Sequence, residues 1–336
     1  MILVTGAAGY IGSHVTKKLL EQGEIIVALD NFSTGIPKTI ESLQKIKKFD
    51  FINLDLKEFI RVRDVFLKYK IVTVIHLAAY SQVNESMKEP LKYYLNNTVN
   101  TTNLVKHASN FGVKHFIFSS TAAVYGEPKL ANINDTITEN YKTTPINPYG
   151  QSKLMAEKII KDESLVNKNF KYCILRYFNV AGSDMDSDIP RIGESHDPET
   201  HLVPLVVKTA LGKREKIKIF GDNYNTPDGT CIRDYIHVDD LVDAHLSSIE
   251  FLKKNISNTF NCGYGHGFSV KEVIKTLKKV SGVDFHVQMD KKRDGDPAIL
   301  VANNEKILKL TNWNPRYDDL EIICKSALAW EKVNLK

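Results

Sequence analysis

Short apolar runs alternate with amphipathic stretches through the first half of the chain. The runs are rich in β-branched residues, which is typical of buried strands. They cover residues 2–5, 25–29, 51–54, 71–77, 116–119 and 172–177. Apolar residues also recur at helical spacing near 61–69, 91–111 and 149–162. This alternation predicts a parallel sheet with helices on both faces, the α/β architecture of a doubly wound Rossmann fold.

The pattern changes near residue 181. Residues 182–201 are polar and rich in turn-forming residues, which predicts a long loop of the kind that often serves function. Farther on, Ser269 and Glu272 form a capping-box pattern before an amphipathic helix that should end at Gly282. We therefore expect a Rossmann domain over residues 1–180 and a smaller mixed α/β domain, for the substrate, over 181–336.

Composition narrows the class of protein. The 336 residues are 43% apolar and 9% aromatic, which is too much for a disordered chain, and no apolar run is long enough for a membrane span. The net charge is +5 and the lysines are scattered, so we expect no nucleic-acid partner. Four separated cysteines and the lack of a signal-peptide pattern favour the cytoplasm, and the cysteines and histidines show no spacing typical of a metal site.

A glycine-rich loop follows the first predicted strand. Gly6, Gly9 and Gly12 precede an amphipathic helix, the context in which this spacing indicates a dinucleotide site, with the pyrophosphate at the helix N-terminus. Asp30 ends the second apolar run, where a carboxylate can accept hydrogen bonds from both ribose hydroxyls and would repel a 2′-phosphate. Since no arginine occurs in residues 31–35, the pattern favours NAD over NADP.

Tyr149 and Lys153 lie four residues apart at the start of a predicted helix, so they share one face. Thr121 follows a predicted strand, at the edge where ligands bind in open α/β sheets. Oxidation of a sugar alcohol requires a base for the hydroxyl proton. A nearby ammonium and a positive nicotinamide should both lower the pKa of a phenol from about 10. Tyr149 is thus the predicted base, Lys153 tunes it and anchors the nicotinamide ribose, and Thr121 binds the reacting oxygen.

These residues, with the segments TGAAGYIG, SSTAAVYG and YGQSK, resemble the extended short-chain dehydrogenase/reductase family. Longer stretches, above all TPDGT and RDYIHV together with HLAA, LRYFN, IFGD and RDGD, are similar to its UDP-glucose (UDP-galactose) 4-epimerase branch along nearly the whole chain. The resemblance implies NAD as cofactor, UDP-hexoses as substrates, a homodimer joined through helices 91–111 and 149–162, and the return of residues 236–262 to the first domain.

The resemblance also implies individual contacts. Besides the glycines, Asp30, Tyr149 and Lys153, it implies that NAD is contacted by Tyr10, Ile11, Asn31, Ser33, Asp55, Leu56, Leu77, Ala78, Ala79, Ser81, Asn96 and Phe178. Besides Thr121, it implies that the UDP-sugar is bound by Asn179, His201, Leu202, Phe220, Arg233, Tyr235, Arg293, Asp296 and Leu300. Arginine suits a diphosphate because its fork matches phosphate oxygens bidentately.

The implied reaction is the interconversion of UDP-glucose and UDP-galactose. Hydride leaves sugar carbon 4 to NAD, the 4-keto sugar turns, and hydride returns to its other face. Three positions depart from common patterns of the family: Thr121 replaces a serine, Ser81 replaces a lysine, and Leu300 is intermediate between tyrosine and small residues. Our hypothesis is that Leu300 permits some activity on UDP-N-acetylglucosamine and UDP-N-acetylgalactosamine.

Other functions remain open from the sequence. A 4,6-dehydratase needs carboxylates beside the hydroxyl residue, but Ala122 and Ala123 follow Thr121. The TPDGT run argues against a UDP-glucuronate epimerase or decarboxylase without strictly excluding one. A non-catalytic NAD-binding protein would need the glycine loop but neither Tyr149 nor Lys153.

Overall fold

The computed structural model describes residues 1–128, 130, 132, 134–186, 192–254, 257–293 and 296–334. The strands are β1 Ile2–Thr5, β2 Ile26–Asp30, β3 Asp50–Asn53, β4 Thr73–His76, β5 His115–Thr121, β6 Lys171–Tyr177, β7 Asn179–Ala181, β8 Lys216–Phe220, β9 Ile232–Arg233, β10 Tyr235–His237, β11 Asn258–Cys262, β12 Phe268–Ser269, β13 His286–Asp290 and β14 Ile299–Leu300.

The α-helices are α1 Tyr10–Glu21, α2 Pro37–Gln44, α3 Phe59–Lys68, α4 Val83–Lys88, α5 Pro90–Tyr93, α6 Asn100–Asn110, α7 Pro148–Val166, α8 Leu202–Ala210, α9 Val238–Lys254, α10 Val270–Ser281, α11 Glu305–Leu310 and α12 Leu320–Val333. A π-helix, Tyr94–Val99, joins α5 to α6, and a 3₁₀ turn, Ala122–Tyr125, follows β5. A membrane span demands a long apolar helix, and none of these described helices meets that demand.

The predicted Rossmann fold is confirmed. Seven strands pair in the order β11-β6-β5-β4-β1-β2-β3, and every neighbouring pair is parallel. Successive residues of β1 enter different cores, since Leu3 packs with the cluster on one face and Val4 with that on the other. Because all strands run the same way, their carboxyl ends meet at one edge, where the predicted dinucleotide loop and Thr121 lie.

The helix predicted over residues 91–111 is not one regular α-helix. The π-helix interrupts it between α5 and α6, and such segments occur often at functional sites. Within it Asn97 accepts a hydrogen bond from the Tyr80 amide at 2.9 Å and donates to the Tyr80 carbonyl at 2.9 Å. The Asn97 side chain also donates to Ser152 Oγ on α7 at 3.1 Å. This irregular turn thus ties the helix to the segment that follows β4.

The second half forms small sheets, in the orders β10-β7, β12-β9-β14 and β13-β8. The predicted capping box is confirmed: Ser269 Oγ accepts from the Glu272 amide at 3.1 Å, and Glu272 Oε2 accepts from the Ser269 amide at 2.7 Å. The helix that follows ends at Gly282, as predicted. The division into domains stays a prediction. Strand β11, from the second half of the chain, pairs with β6 at the edge of the large sheet. Residues 187–191 of the predicted loop lie outside the described residues.

Candidate active site

A cleft of about 760 Å³ opens at the carboxyl edge of the large sheet, between the glycine loop and the short strands of the second half. All the residues that the sequence predicts as catalytic, cofactor-binding or substrate-binding line this one cleft. Of the RDGD motif, Arg293 and Asp296 are among them, whereas Asp294 and Gly295 lie outside the described residues. Their individual contacts with ligands stay predictions.

The glycine loop has no room for side chains at two of its positions. Gly6 has φ of +75°, and a Cβ there would lie 2.7 Å from the Ala78 nitrogen. At Gly12, a Cβ would lie 1.9 Å from the Gly6 carbonyl oxygen. The helix that begins here has Gly9 as its N-cap and no side-chain cap, so its first N–H groups are available to an anionic ligand. The loop therefore fits the pyrophosphate of a dinucleotide.

Asp30 holds the same loop in place. Its Oδ2 accepts a hydrogen bond from the Ala8 amide at 2.9 Å, and its Oδ1 accepts from the Phe32 amide at 2.8 Å. Burial raises the pKa of this carboxyl, and the backbone hydrogen bonds oppose that rise. Each carboxylate oxygen keeps a further lone pair for a ribose hydroxyl. Asp30 is thus placed for two tasks, of which the sequence indicated only the second.

The three predicted catalytic residues meet at the end of β5. The side chain of Thr121 lies beside the Tyr149 hydroxyl, where its hydrogen-bonding effect lowers the pKa of the phenol. Lys153 Nζ donates to the Ser119 carbonyl at 2.8 Å, which fixes its amino group beside the end of β5. Asn147 caps the helix by accepting from the Gly150 amide at 2.8 Å. The Asn-Pro pair that precedes Tyr149 is a helix-start signal, from which this cap could have been predicted.

The predicted lowering of the Tyr149 pKa is not produced by the chain alone. Burial raises the pKa of Tyr149, and the hydrogen bond from Thr121 offsets only part of this. Burial likewise lowers the pKa of Lys153 to about 7, against the attraction of Glu157. The protein by itself therefore keeps the phenol protonated, because desolvation penalises the phenolate more than the hydrogen bond stabilises it.

A buried ion pair lies one helical turn from Lys153. Arg176 on β6 makes a bidentate contact with Glu157 on α7, at 2.9 Å and 2.6 Å, and Ser120 Oγ donates to Glu157 at 2.5 Å. The Arg176 and Glu157 side chains are almost fully buried, so the loss of either would leave an unpaired charge in the core. The sequence did not indicate this support: Arg176 lies in the LRYFN stretch, but nothing in the local pattern identifies Glu157, on another element, as its partner.

On the opposite wall, Arg233 is buried and forms an ion pair with Asp296. Its Nη1 also donates to the Ile232 carbonyl at 2.8 Å. The guanidinium of Arg293 lies over the Phe220 ring, 3.8 Å from its centroid. Two arginines that line the cleft are thus held by neighbouring groups.

A second group of charged residues lies before α8. Ligand atoms of Glu194, His196, Glu199 and His201 all lie within 4.8 Å of one another. Their sequence spacing did not indicate a cluster, because a loop brings them together. Four such side chains could hold a cation, and the expectation that the chain binds no metal stays a prediction. His201 was predicted from the resemblance, whereas Glu194, His196 and Glu199 were missed.

Comparison with known proteins identifies the family. The sequence pattern of the NAD dependent epimerase/dehydratase family matches residues 2–263. The UDP-glucose 4-epimerase of Halalkalibacterium halodurans is 45% identical over 334 residues, which cover 98% of this chain and 95% of that protein.

Solved structures of related proteins indicate the same family. The UDP-Glc/GlcNAc 4-epimerase of Campylobacter jejuni is 52% identical, with a TM-score of 0.86 and 99% of both chains covered. The UDP-glucose 4-epimerase of Bifidobacterium longum, solved with NAD+ and UDP, is 36% identical with a TM-score of 0.93, covering 99% of this chain and 98% of that one. The chain therefore belongs to the NAD-dependent epimerase/dehydratase family, in its group of UDP-glucose 4-epimerases.

Proposed function

We propose that this chain interconverts UDP-glucose and UDP-galactose by inverting sugar carbon 4 through a transient 4-keto sugar. One observation carries the proposal: Tyr149 and the neighbouring Thr121 lie in the same cleft as a dinucleotide loop and two arginines suited to a diphosphate. Relatives named UDP-glucose 4-epimerase, at 41–46% identity over nearly the whole chain, support it.

The side chains of the cleft have different roles in the proposed reaction. When bound, NAD supplies a hydride acceptor that returns the hydride later, and its positive ring lowers the cost of a nearby phenolate. Tyr149 takes the proton of the 4-hydroxyl and gives it back to the ketone. Thr121 holds the reacting oxygen through its hydroxyl, and Lys153, fixed by the Ser119 carbonyl, favours the phenolate of Tyr149 and anchors the nicotinamide ribose.

The UDP part anchors the substrate while the hexose turns. Arg233 and Arg293 are positioned for the diphosphate by Asp296 and Phe220, respectively. Binding energy from this distant group can hold a sugar that is itself loosely gripped. A loosely held ring can then present either face to the hydride donor.

The decisive experiment is turnover without added cofactor. We expect the purified protein to convert UDP-galactose into UDP-glucose without NAD in the buffer, and to release NAD when it is denatured. NAD is regenerated in each cycle, so one bound molecule suffices. Stoichiometric oxidation of the sugar, or no conversion by NAD-loaded protein, would contradict the proposal.

We propose that N-acetylated UDP-hexoses are accepted as well. Leu300 is half-buried in the cleft, and β14 pairs it with Arg233 of β9. A leucine leaves more space there than a tyrosine, and the C. jejuni relative is a UDP-Glc/GlcNAc 4-epimerase. Leu300→Tyr should lower turnover of UDP-N-acetylgalactosamine far more than that of UDP-galactose. Lack of any activity on the acetylated sugar in the unaltered protein would refute this.

We propose a homodimer joined through the helices from α5 to α7. Leu91, Leu95 and Val99 recur every four residues and are 72%, 61% and 41% exposed, and Met155 on α7 is 39% exposed. Such a stripe on one helical face is costly in water unless it is covered. Leu95→Glu should give monomers in sedimentation, whereas the control Leu67→Glu, on the exposed face of α3, should not. A monomeric parent protein would end this proposal.

We also place the protein in the cytoplasm. Cys173, Cys231, Cys262 and Cys324 are all buried free thiols, as expected in a reducing compartment. Cell fractionation tests the assignment, and recovery of the protein in a secreted or envelope fraction would contradict it.

A further inference from the structure

Strand β14 brings Leu300 to the cleft from a part of the sequence far from the catalytic residues. Leu300 packs against a small buried core that includes Ala122 and Leu154. Ala122 directly follows Thr121, and Leu154 directly follows Lys153. One side of the pocket for the reacting group is therefore made by the catalytic segments and another by β14. Small displacements of reacting groups are costly in rate, so the separation of these two sides matters.

The first connection of β14 is to β9, on the arginine side of the cleft. Leu300 is paired with Arg233 in the parallel register, and its carbonyl accepts from the Asp234 amide at 3.1 Å. Asp234 Oδ2 also accepts from the Ala302 amide at 3.2 Å. These contacts connect β14 with β9 and leave its position relative to the catalytic residues to other groups.

A chain of buried side chains makes the second connection. Arg176 Nη1 donates to Tyr125 Oη at 2.9 Å, and Tyr125 Oη donates to Asn261 Oδ1 at 2.7 Å. Asn261 Nδ2 in turn donates to the Ile137 carbonyl at 2.7 Å. At its other end the chain is anchored on α7, the helix of the catalytic pair, because Arg176 is paired there with Glu157.

Ile137 passes the connection on to the residues that follow Leu300. Its amide donates to the Val301 carbonyl at 2.9 Å, and its carbonyl also accepts from the Asn303 amide at 2.8 Å. These two bonds form a parallel β-bridge between Ile137 and Ala302. Hydrogen bonds thus run without a break from α7 to the end of β14.

Each hydrogen bond of this chain has only one possible direction. A guanidinium only donates, so Tyr125 Oη accepts from Arg176 and has a single proton to donate to Asn261 Oδ1. The Asn261 amide is thereby oriented with Nδ2 toward the Ile137 carbonyl, which only accepts. Arg176 is 3% exposed and the other three residues are fully buried, so water cannot replace a missing partner.

We propose that Tyr125 and Asn261 are positioning residues that set the distance between Leu300 and the catalytic groups Thr121 and Tyr149. This inference rests on the proposed function for the identity of the reaction, whereas the connection of β14 to α7 stands independently of it. Neither Tyr125 nor Asn261 is among the residues that line the cleft. Their loss should therefore change where the hexose lies rather than how UDP or NAD is bound.

The connection is tested first, without substrate, by amide hydrogen exchange. Tyr125→Phe keeps the aromatic ring but removes the proton that orients Asn261, so the amides of Ile137 and Asn303 should exchange about tenfold faster than in the parent. The matched control is Tyr264→Phe, which removes another buried hydroxyl, one that donates to a carboxylate of α9 at 2.5 Å. It should leave these two amides at the parental rate.

Turnover of UDP-galactose is measured next, together with the Kd for UDP and the NAD content. For Tyr125→Phe we expect a kcat about tenfold lower, with the Kd for UDP within about twofold of the parent and NAD retained. Asn261→Leu should give the same split, because it breaks the same chain at the next link. The double variant should be no slower than the slower single variant, since links of one chain do not act independently. Tyr264→Phe should keep the parental kcat.

Three results would overturn the inference. The first is parental exchange of the Ile137 amide in both Tyr125→Phe and Asn261→Leu, and the second is a parental kcat in both. The third is a fall in kcat matched by equal losses of UDP binding and NAD, which would indicate a general loss of structure. Asn261→Leu decides the question if Tyr125→Phe does not fold. If exchange changes as expected but the unaltered protein does not convert UDP-galactose, the connection stands and the proposed function fails.

Discussion

One wall of the cleft is built from backbone, whereas the opposite wall is built from charged side chains. The cofactor wall, comprising the glycine loop, Asp30 and the ends of β4 and β5, is fixed by a parallel sheet and by glycines that allow close approach. The proposed diphosphate wall, comprising His201, Arg233, Arg293 and Asp296, lies on loops and on the two-residue strand β9, with ion pairs at His201 and between Arg233 and Asp296.

Because the two walls are built differently, substitutions in them should impair different properties of the protein. A change on the cofactor wall must disturb the main chain, so it should affect both NAD retention and stability. A change on the diphosphate wall removes a charge or a partner while the backbone remains, so it should weaken UDP binding alone. The following variants test that separation, in order of falling effect.

The largest effect is expected for Tyr149→Phe, which removes the acid–base group between the walls. Turnover of UDP-galactose should fall by roughly 10²–10⁴-fold, because the phenylalanine ring has no hydroxyl to take the substrate proton. NAD content after denaturation and the Kd for UDP should stay at parental values. Unchanged turnover would refute the role of Tyr149, and loss of NAD would show that the phenol belongs to the cofactor wall.

The second effect is expected for Gly12→Ala. Its Cβ would meet the Gly6 carbonyl oxygen, so the loop must move, with a loss of about 1–3 kcal/mol of unfolding free energy and of bound NAD. Gly23→Ala is the matched control, since φ is +80° there but the space is open. It should cost about 1–2 kcal/mol through backbone strain yet retain NAD. Equal NAD contents in the two variants would contradict the role of the glycine loop in retaining NAD.

The smallest effect is expected for Arg233→Met. Loss of a charge-assisted contact should weaken UDP binding about tenfold or somewhat more, with NAD content unchanged. Asp296→Asn should act in the same direction and less, because it loosens Arg233 without removing it. Lys253→Met, at an exposed pair with Glu250, is the control and should leave the Kd unaltered. Loss of NAD from Arg233→Met would show that the walls are coupled.

A similar contrast, between local and distant contacts, explains which features could be predicted from the sequence. The strand runs, the glycine loop, the capping box of Ser269 and the placement of Tyr149 and Lys153 on one helix all depend on neighbours within a few residues, so local pattern predicts them. The ion pair of Glu157 and Arg176 joins a helix to a strand, and its partners can be known only once the sheet has formed.

The residues of the diphosphate wall could be predicted only from the family resemblance, for a related reason. Arg233 and Asp296 are far apart in sequence, and no periodicity marks them. Glu194 and Glu199 were missed because loop residues carry no repeating pattern. The opposing effect of burial on the pKa of Tyr149 was also missed, since the sequence shows which groups are near but not how much water they lose; the expected phenolate, which depends on bound NAD as well, stays a prediction.

The position of β11 has a consequence for how the chain is made. Residues 258–262 close the outer edge of the large sheet against β6, although the segment that forms the other six strands is complete by residue 177. During synthesis the outer edge of β6 therefore remains unpaired until the ribosome has added about 80 further residues. An exposed parallel edge is prone to pair with other chains. A ribosome-bound chain ending near residue 180 should thus depend on chaperones more than one ending past residue 262.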